Sequence, residues 1–578
     1  MQHSPLEMSA SAKSHAATDT AELDATLARL KRHAEPFARL LPATRAGLLR
    51  ECMPLVWRVA EDWVRAACEA KGIDFESTAS SEEWLGGPMT TLRNMRLLAE
   101  GLDAIARTGK PGVDDANLRV APDGRVEAEV FPTSLVEKLL YAGFTATIRF
   151  EEGMNRDDVR ARQASFYAQK DPHGGVALVL GAGNVASIPP MDALYKMFVE
   201  GMVCLVKLNP VNEYLEPFYR RCMAPLVERG YLDFVRGGGD VGKHLVEHPD
   251  VDDVHITGSD RTFDLIVWGP PGEERDRRKK ANDPVLKKPI SSELGSVTPV
   301  ILVPGTWSEK ELQYVAEYIA TMVTNNASCN CNAGKMLVTS KGWAQRDDLL
   351  RRVREVLKGV APRKAYYPGA FDRFAHLTEG REGVERIGEA SADQLPWTLI
   401  PGLDANAKDE RLFTTEPFCP ILSEARLDES DPSAFLDAAT TFANDRLWGT
   451  LSAVLFIDPR TERGAKDALD RAVAQLRYGA VGINQWTGLV YGLVTAPWGG
   501  HPSSPKHDIQ GGVGWVHNTF MFEGIEKLVL RGPFVVAPKP PYFVTHRAAH
   551  EVARKVTELE LGPSVWMVPS IVFSALQG

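Results

Sequence analysis

From Ala21 to Arg107 apolar residues recur every three or four positions, as in LDATLARLKRHAEPFARLL and RAGLLRECMPLVWRVAEDWVRAACEA. That spacing predicts a mostly helical first segment. VEAEVF and TATIRF, between Arg125 and Phe150, alternate instead. They predict strands that lie on a surface or reach another subunit. A continuous apolar strand then opens GGVALVLGAGNVASIPP, followed by the helical MDALYKMFVEG and the strand VCLVKLNP. MAPLVERGYLDFVRGGG and VGKHLVEHPDVDDVHITGSDRTFDLIVWG repeat the alternation of strand, turn and helix. Such a succession predicts a parallel α/β sheet. The charged run PPGEERDRRKKANDP reads as a solvated loop. After it, LKKPISSELGSVTPVILV puts Glu293 at the end of a short strand. Proteins with α/β sheets place their ligands at that end of the strands. The amphipathic run TWSEKELQYVAEYIATMVT then gives way to NNASCNCNAGK and the apolar run MLVTS.

With 578 residues the chain has room for two or three domains, and 44% apolar with 25% charged residues is ordinary for a globular protein. A net charge of -10 argues against nucleic acid or an anionic membrane as the main partner, so a small molecule is expected. Seven cysteines without regular spacing fit a reducing compartment, and a cytoplasmic location is expected. Residues 1–20 lack an apolar stretch; they read as a disordered tail and carry no secretory signal. The apolar run Leu561–Leu576 is short and interrupted by Pro563 and Pro569, so no membrane span is expected. Apolar surface of that size covers a neighbouring subunit or domain.

Cys329 and Cys331 stand one residue apart where a helix gives way to a small-residue turn. Free backbone N–H groups there lower a thiol pKa and can hold an oxyanion, a setting for a nucleophile. Two small core residues would read the same way, and no second pair stands at zinc-ligand spacing, so no metal is expected. Gly181, Gly183 and Ala186 spell G-x-G-x-x-A between strand and helix. The acidic residue of a dinucleotide fingerprint is missing, because the next strand ends in Lys207 and Asn209. The turns at Gly237–Gly239 and Thr257-Gly258-Ser259 let backbone approach a ligand, the second at a helix start suited to phosphate.

SSELGSVTP, followed 38 positions later (331 minus 293) by Cys-Asn-Ala-Gly, resembles the aldehyde dehydrogenase superfamily. VALVLGAGNVAS, VCLVKLNP, DVDDVHITGS, TTEPFCPIL, NDRLWGTLSAVLF and GAVGINQ with APWGG follow the family's order from about Leu41 to about Gly500. The resemblance implies an α/β fold of two parallel α/β domains plus a small β arm that joins subunits, in a homodimer or homotetramer. It implies a nucleotide-binding part over residues 21–292 with the arm at about 122–150, a catalytic part over 293–515, and a C-terminal extension over 516–578. It implies Cys331 as nucleophile, Asn184 with the Cys331 N–H as oxyanion donors, and Glu293 as general base. Lys207, Gly258, Ser259, Glu416 and Phe418 are implied cofactor contacts, for NAD or NADP. The implied activity is oxidation of an aldehyde to a carboxylic acid; the same thioester also serves CoA-acylating members, and a non-catalytic cofactor-binding scaffold is the third alternative.

The chain departs from the family where Ser328, Cys329 and Asn330 replace its usual Gly-Gln-x, and where Cys419 and Ser296 replace glycines. Pro210 stands three after Lys207, where many members carry an acidic residue for the adenosine ribose, which opens the site to NADP. Cys329 is also a candidate for a protective bond with Cys331 under oxidation. Trp486, Trp498 and Trp515 make an aromatic-lined pocket plausible. The extension itself carries no assignment beyond packing or subunit contacts.

Overall fold

The alternating and continuous apolar runs close into two sheets. A computed structural model of the protein describes residues 16–578. Most of the expected disordered tail, residues 1–15, lies outside the described residues. Within its remainder Thr18 is tied down, its hydroxyl accepting from the Arg236 N–H at 3.1 Å.

The first sheet has six strands in the order Gly512–Val513, Ile290–Leu294, Asp253–Gly258, Val176–Leu180, Val203–Lys207 and Leu232–Val235. All pairs are parallel except the outer one, where Gly512 faces Glu293. These strands read as unbroken apolar runs because helices cover both faces. Helices Thr20–Ala38, Pro42–Lys71 and Thr90–Thr108 pack Leu27, Phe37, Trp63 and Leu98 into the same core as Val179 and Leu205. Between the last two helices, Leu85–Met89 forms a single π turn around Gly87 and Pro88. Proline cannot donate to the helix ladder, so the turn widens there.

The second sheet has eleven strands, with Pro299–Leu302 among its central ones. Ser452–Phe456, Ala480–Ile483 and Ile525–Arg531 lie on one side of that strand; Met336–Ser340, Ile421–Leu427 and Trp397–Asp404 lie on the other. Beyond Ile525–Arg531 the two alternating runs follow as Thr145–Phe150 and Val126–Phe131, antiparallel to each other, and Leu118–Val120 forms the edge. Here they extend the sheet of their own chain, with Ile148 facing Leu528 and Leu528 facing Ala480.

The charged run differs from its expected loop: Glu273–Ala281 is a helix with no buried residue. Acidic residues occupy its first turn and basic residues its last, which matches the helix dipole, and Glu274 pairs with Arg278 at 2.8 Å. Past the second sheet the chain crosses the helix Glu309–Thr324, whose start is fixed by a Ser308/Glu311 capping box. Tyr542 bonds Tyr318 at 2.9 Å, and the Val544 N–H donates to Thr321 Oγ1 at 3.0 Å. Helices Ala549–Leu559 and Val568–Ala575 end the chain. Glu560, just after the first of these, accepts from Arg93 and Arg96 at 3.0 Å each, and Arg93 also holds Glu137. No helix among the described residues is long and apolar enough to cross a membrane.

Candidate active site

The cysteine stretch lies between the two sheets. Helix Glu309–Thr324 ends at Asn325, and Asn326, Ala327 and Ser328 all take left-handed backbone angles, φ 53°, 54° and 63°. Side chains with a Cβ rarely adopt that region, at a cost of about 1–2 kcal/mol per residue. Buried bonds hold the turn: Asn326 Nδ2 donates to the carbonyls of Asn184 (2.9 Å) and Cys329 (3.1 Å), and the Asn326 N–H donates to Glu82 at 2.9 Å. This is what replaces the family's Gly-Gln-x.

The turn sends the two cysteines to different places. Cys329 is buried, with its thiol 3.7 Å from the carbonyls of Ala327 and Phe418, and it lines a small void shared with Cys419. Cys331 is half-buried and borders a separate cavity of about 250 Å³. The two thiols therefore face different spaces.

Glu293 ends the strand Ile290–Leu294 and is only 3% exposed. Burial, then the negative charge of Asp192, pushes its carboxyl up to about 8, although the Cys331 thiol and the Trp498 indole beside it act in the opposite direction. Glu293 Oε1 and Trp498 Nε1 have no hydrogen-bond partner. An unpaired buried carboxyl oxygen next to a thiol is costly unless it has a use. Cys331 itself departs from expectation. Burial and the nearby Glu293 hold its thiol well above the usual range, where the sequence predicts a lowered pKa. The neighbouring backbone donors do not outweigh desolvation.

Asn184 reaches the same turn. Its Nδ2 donates to the Cys329 carbonyl at 3.0 Å, and its own carbonyl accepts from Lys71 (3.0 Å) and Tyr366 (3.2 Å) besides Asn326. The strand-turn preceding it is filled by its own chain: a Cβ at Gly183 would meet Asn209 Cγ at 2.8 Å and Val211 Cβ at 2.9 Å. The G-x-G-x-x-A glycines thus serve packing.

Lys335, four residues after Cys331, carries no role in the sequence reading and is central here. Its Nζ donates to the carbonyls of Ser296 (2.8 Å) and Cys331 (3.0 Å) and pairs with Glu416. Glu416 rests on Gly295, where a Cβ would come within 1.8 Å of its Oε2. Phe418, at φ 43°, turns its ring edge-on to Tyr367 at 4.9 Å.

The remaining cofactor candidates cluster at the strand ends of the first sheet. Burial pulls the Lys207 amine down to about 8, only partly offset by Glu213. Glu213 Oε1 accepts from the Gly237 N–H at 2.9 Å, so a carboxylate stands near Lys207 although Pro210 offers none. Ser259 caps helix Asp260–Trp268, and exposed Gly258 precedes it, where a Cβ would make only ordinary contact with Ile256 at 3.6 Å. Among the described residues one group has metal-capable spacing, Asp24 with His244 and His248, and none of its members borders the Cys331 cavity.

The profile of the aldehyde dehydrogenase family matches residues 140–521. The chain belongs to that family. An N-succinylglutamate 5-semialdehyde dehydrogenase from Sphingopyxis alaskensis is 27% identical over 461 residues, 74% of this chain and 83% of that protein. An aminoacetaldehyde dehydrogenase from Pseudomonas aeruginosa is 26% identical over 291 residues, 48% of this chain and 52% of that protein. A 1-pyrroline-5-carboxylate dehydrogenase from Bacillus pumilus is 25% identical, over 49% of this chain and 53% of its own. The chain thus spans about half the length of the last two relatives. Family structures share the fold. A Pseudomonas syringae aldehyde dehydrogenase C variant complexed with NAD+ and octanal superposes with a TM-score of 0.60 at 15% identity, over 90% of this chain and 91% of its own. An indole-3-acetaldehyde dehydrogenase with NAD+ gives 0.58 at 19%, over 89% and 90%.

Proposed function

We propose that the protein oxidises an aldehyde to a carboxylic acid with NAD or NADP, through a thioester on Cys331. The observation that carries this reading is the buried Glu293 carboxyl, its Oε1 without a partner, beside a thiol that borders a cavity. A carboxylate of raised pKa is a base strong enough to take the thiol proton. The Cys331 sulfur then adds to the aldehyde carbon, giving a thiohemiacetal. One Asn184 N–H is engaged by the Cys329 carbonyl; the other, with the Cys331 backbone N–H, holds the oxyanion, each good donor lowering the barrier by about 3 kcal/mol. Collapse of this adduct would leave the thioester, with a nicotinamide, when bound, as the hydride acceptor. Glu293, once it has passed the thiol proton to solvent and is again a carboxylate, takes a proton from water, whose oxygen attacks the thioester carbonyl and releases the acid and the thiolate.

Lys207, the Gly258-Ser259 turn and the open helix start at Asp260 suit a ribose and a pyrophosphate, which need an amine and free backbone N–H groups. Glu416 and Phe418 face the nicotinamide end. Residues 21–292 form the cofactor-binding part, residues 293–515 the catalytic part, and the edge strands join subunits in a homodimer or homotetramer.

Absorbance at 340 nm, followed with an aldehyde panel and each cofactor, with and without CoA, tests the proposal. Sustained NAD(P)H formation without CoA, absent in Cys331→Ala, is expected. A burst of one equivalent that resumes only with CoA assigns an acylating enzyme instead, and cofactor binding without turnover assigns a scaffold.

A further inference from the structure

The family match stops at residue 521, and the sequence after it carries no chemistry of its own. Yet the cavity that Cys331 borders is lined by that extension as well, through Val552, Val556, Ile571, Val572 and Ala575. Met89 and Gly86 from the π turn, with Ile188 and Leu489, line its flank. These residues come from parts of the chain hundreds of positions apart, and almost all are apolar.

The cavity has two charged side chains on its wall, and both are neutralised. Glu82 pairs with Arg363 at 3.1 Å and accepts from the Asn326 N–H. Lys539 pairs with Glu317 at 3.0 Å. A carboxylate or phosphate on the substrate would lose its hydration there and meet no unpaired cation, a cost of several kcal/mol. An alkyl chain would gain with each methylene removed from water. The wall is also fixed in place, because Glu560 is clamped by Arg93 and Arg96 and Tyr542 by Tyr318.

We infer that the C-terminal extension is the specificity wall of the substrate site, and that the substrate is an uncharged aldehyde with a long apolar chain. This deepens the reading of Cys331 as nucleophile and rests on it. The aldehyde carbon lies at Cys331, and the chain runs past Met89 and Ile188 to end against helices Ala549–Leu559 and Val568–Ala575.

The test compares kcat/KM of the full-length protein for propanal, hexanal, decanal and succinic semialdehyde. The expected result is a rise of about threefold per methylene until the wall is reached, with succinic semialdehyde poorest. Val556→Trp, and Val572→Phe as a milder variant, fill the far end, and each lowers the ratio of decanal to propanal kcat/KM, by about tenfold for Val556→Trp. Circular dichroism checks that both fold. Calorimetric binding of 1-decanol to Cys331→Ala reads the wall without turnover; binding that weakens when Val556→Trp is added supports the inference. A flat chain-length profile, a preference for succinic semialdehyde, or decanol binding indifferent to Val556→Trp overturns it. Absence of turnover with every aldehyde, while decanol still binds in a Val556-dependent way, would overturn the nucleophile and leave the wall standing.

Discussion

Glu293 governs both the rate and the pH response of the site. Its carboxyl is neutral below about 8, so the base form appears as pH rises through that value. Activity of the parent is expected to climb nearly tenfold per pH unit below about 8 and level off above it. Glu293→Gln should be slower by about 10²–10⁴-fold with the climb abolished, as read by kcat/KM from pH 6 to 9.5. The same burial acts on stability. An unfolded glutamate ionises near 4.5, so between 4.5 and about 8 the folded state binds the extra proton. The stability this group contributes is complete below 4.5 and falls by about 1.4 kcal/mol per pH unit until pH passes about 8. Glu293→Gln removes that loss, so its Tm should exceed the parent's at pH 9 and not at pH 4. Lys335 is the other decisive residue. Lys335→Met leaves Glu416 without its counter-ion and the Cys331 carbonyl with only the longer bond from Thr298 Oγ1, at 3.4 Å. Breaking a buried pair this way costs about 3–5 kcal/mol, seen as a lower urea midpoint.

At the scale of elements, what could be foreseen divides along how local the signal is. Strands Val176–Leu180, Val203–Lys207 and Asp253–Gly258 and the helix before the cysteines follow from hydrophobic period and a capping box, both short-range. Cys331, Glu293 and Asn184 meet around one turn, and family motifs pointed to them before any geometry was known. Lys71, Tyr366 and Asn326, which fix Asn184, were invisible because a single polar residue at the end of an apolar segment has no signature. The first helical segment showed only packing in the sequence, yet its Gly86-Gly87-Pro88 break forms the π turn whose Gly86 and Met89 line the cavity. Glu560 was unreadable for the same reason, its partners lying more than 400 positions away. Glu560→Gln should leave Arg93 and Arg96 short of charge and loosen the last two helices. Limited proteolysis should then cut after Arg547 or Arg554 faster than in the parent, with a loss of about 3 kcal/mol in stability.

Across the whole molecule the two sheets meet at Glu293. Its strand belongs to the first sheet, the strand four residues on belongs to the second, and Gly512–Val513 returns from far along the chain to pair with it. Gly512 sits at φ 119°, and a Cβ there would come within 2.2 Å of the Ser292 carbonyl oxygen. Gly512→Ala should therefore push the strands apart. It is expected to lower Tm and to cut kcat/KM together, because the displaced strand carries the base.

The chemical role of Cys331 is tested most directly by trapping its acyl intermediate. Glu293→Gln slows attack by water, so decanal with NAD or NADP, quenched in acid and digested, should leave a decanoyl mass on the peptide containing Cys329 and Cys331. Fragmentation should place that mass on Cys331. An acyl group on Cys329, or none on either cysteine while NAD(P)H is formed, would contradict the account.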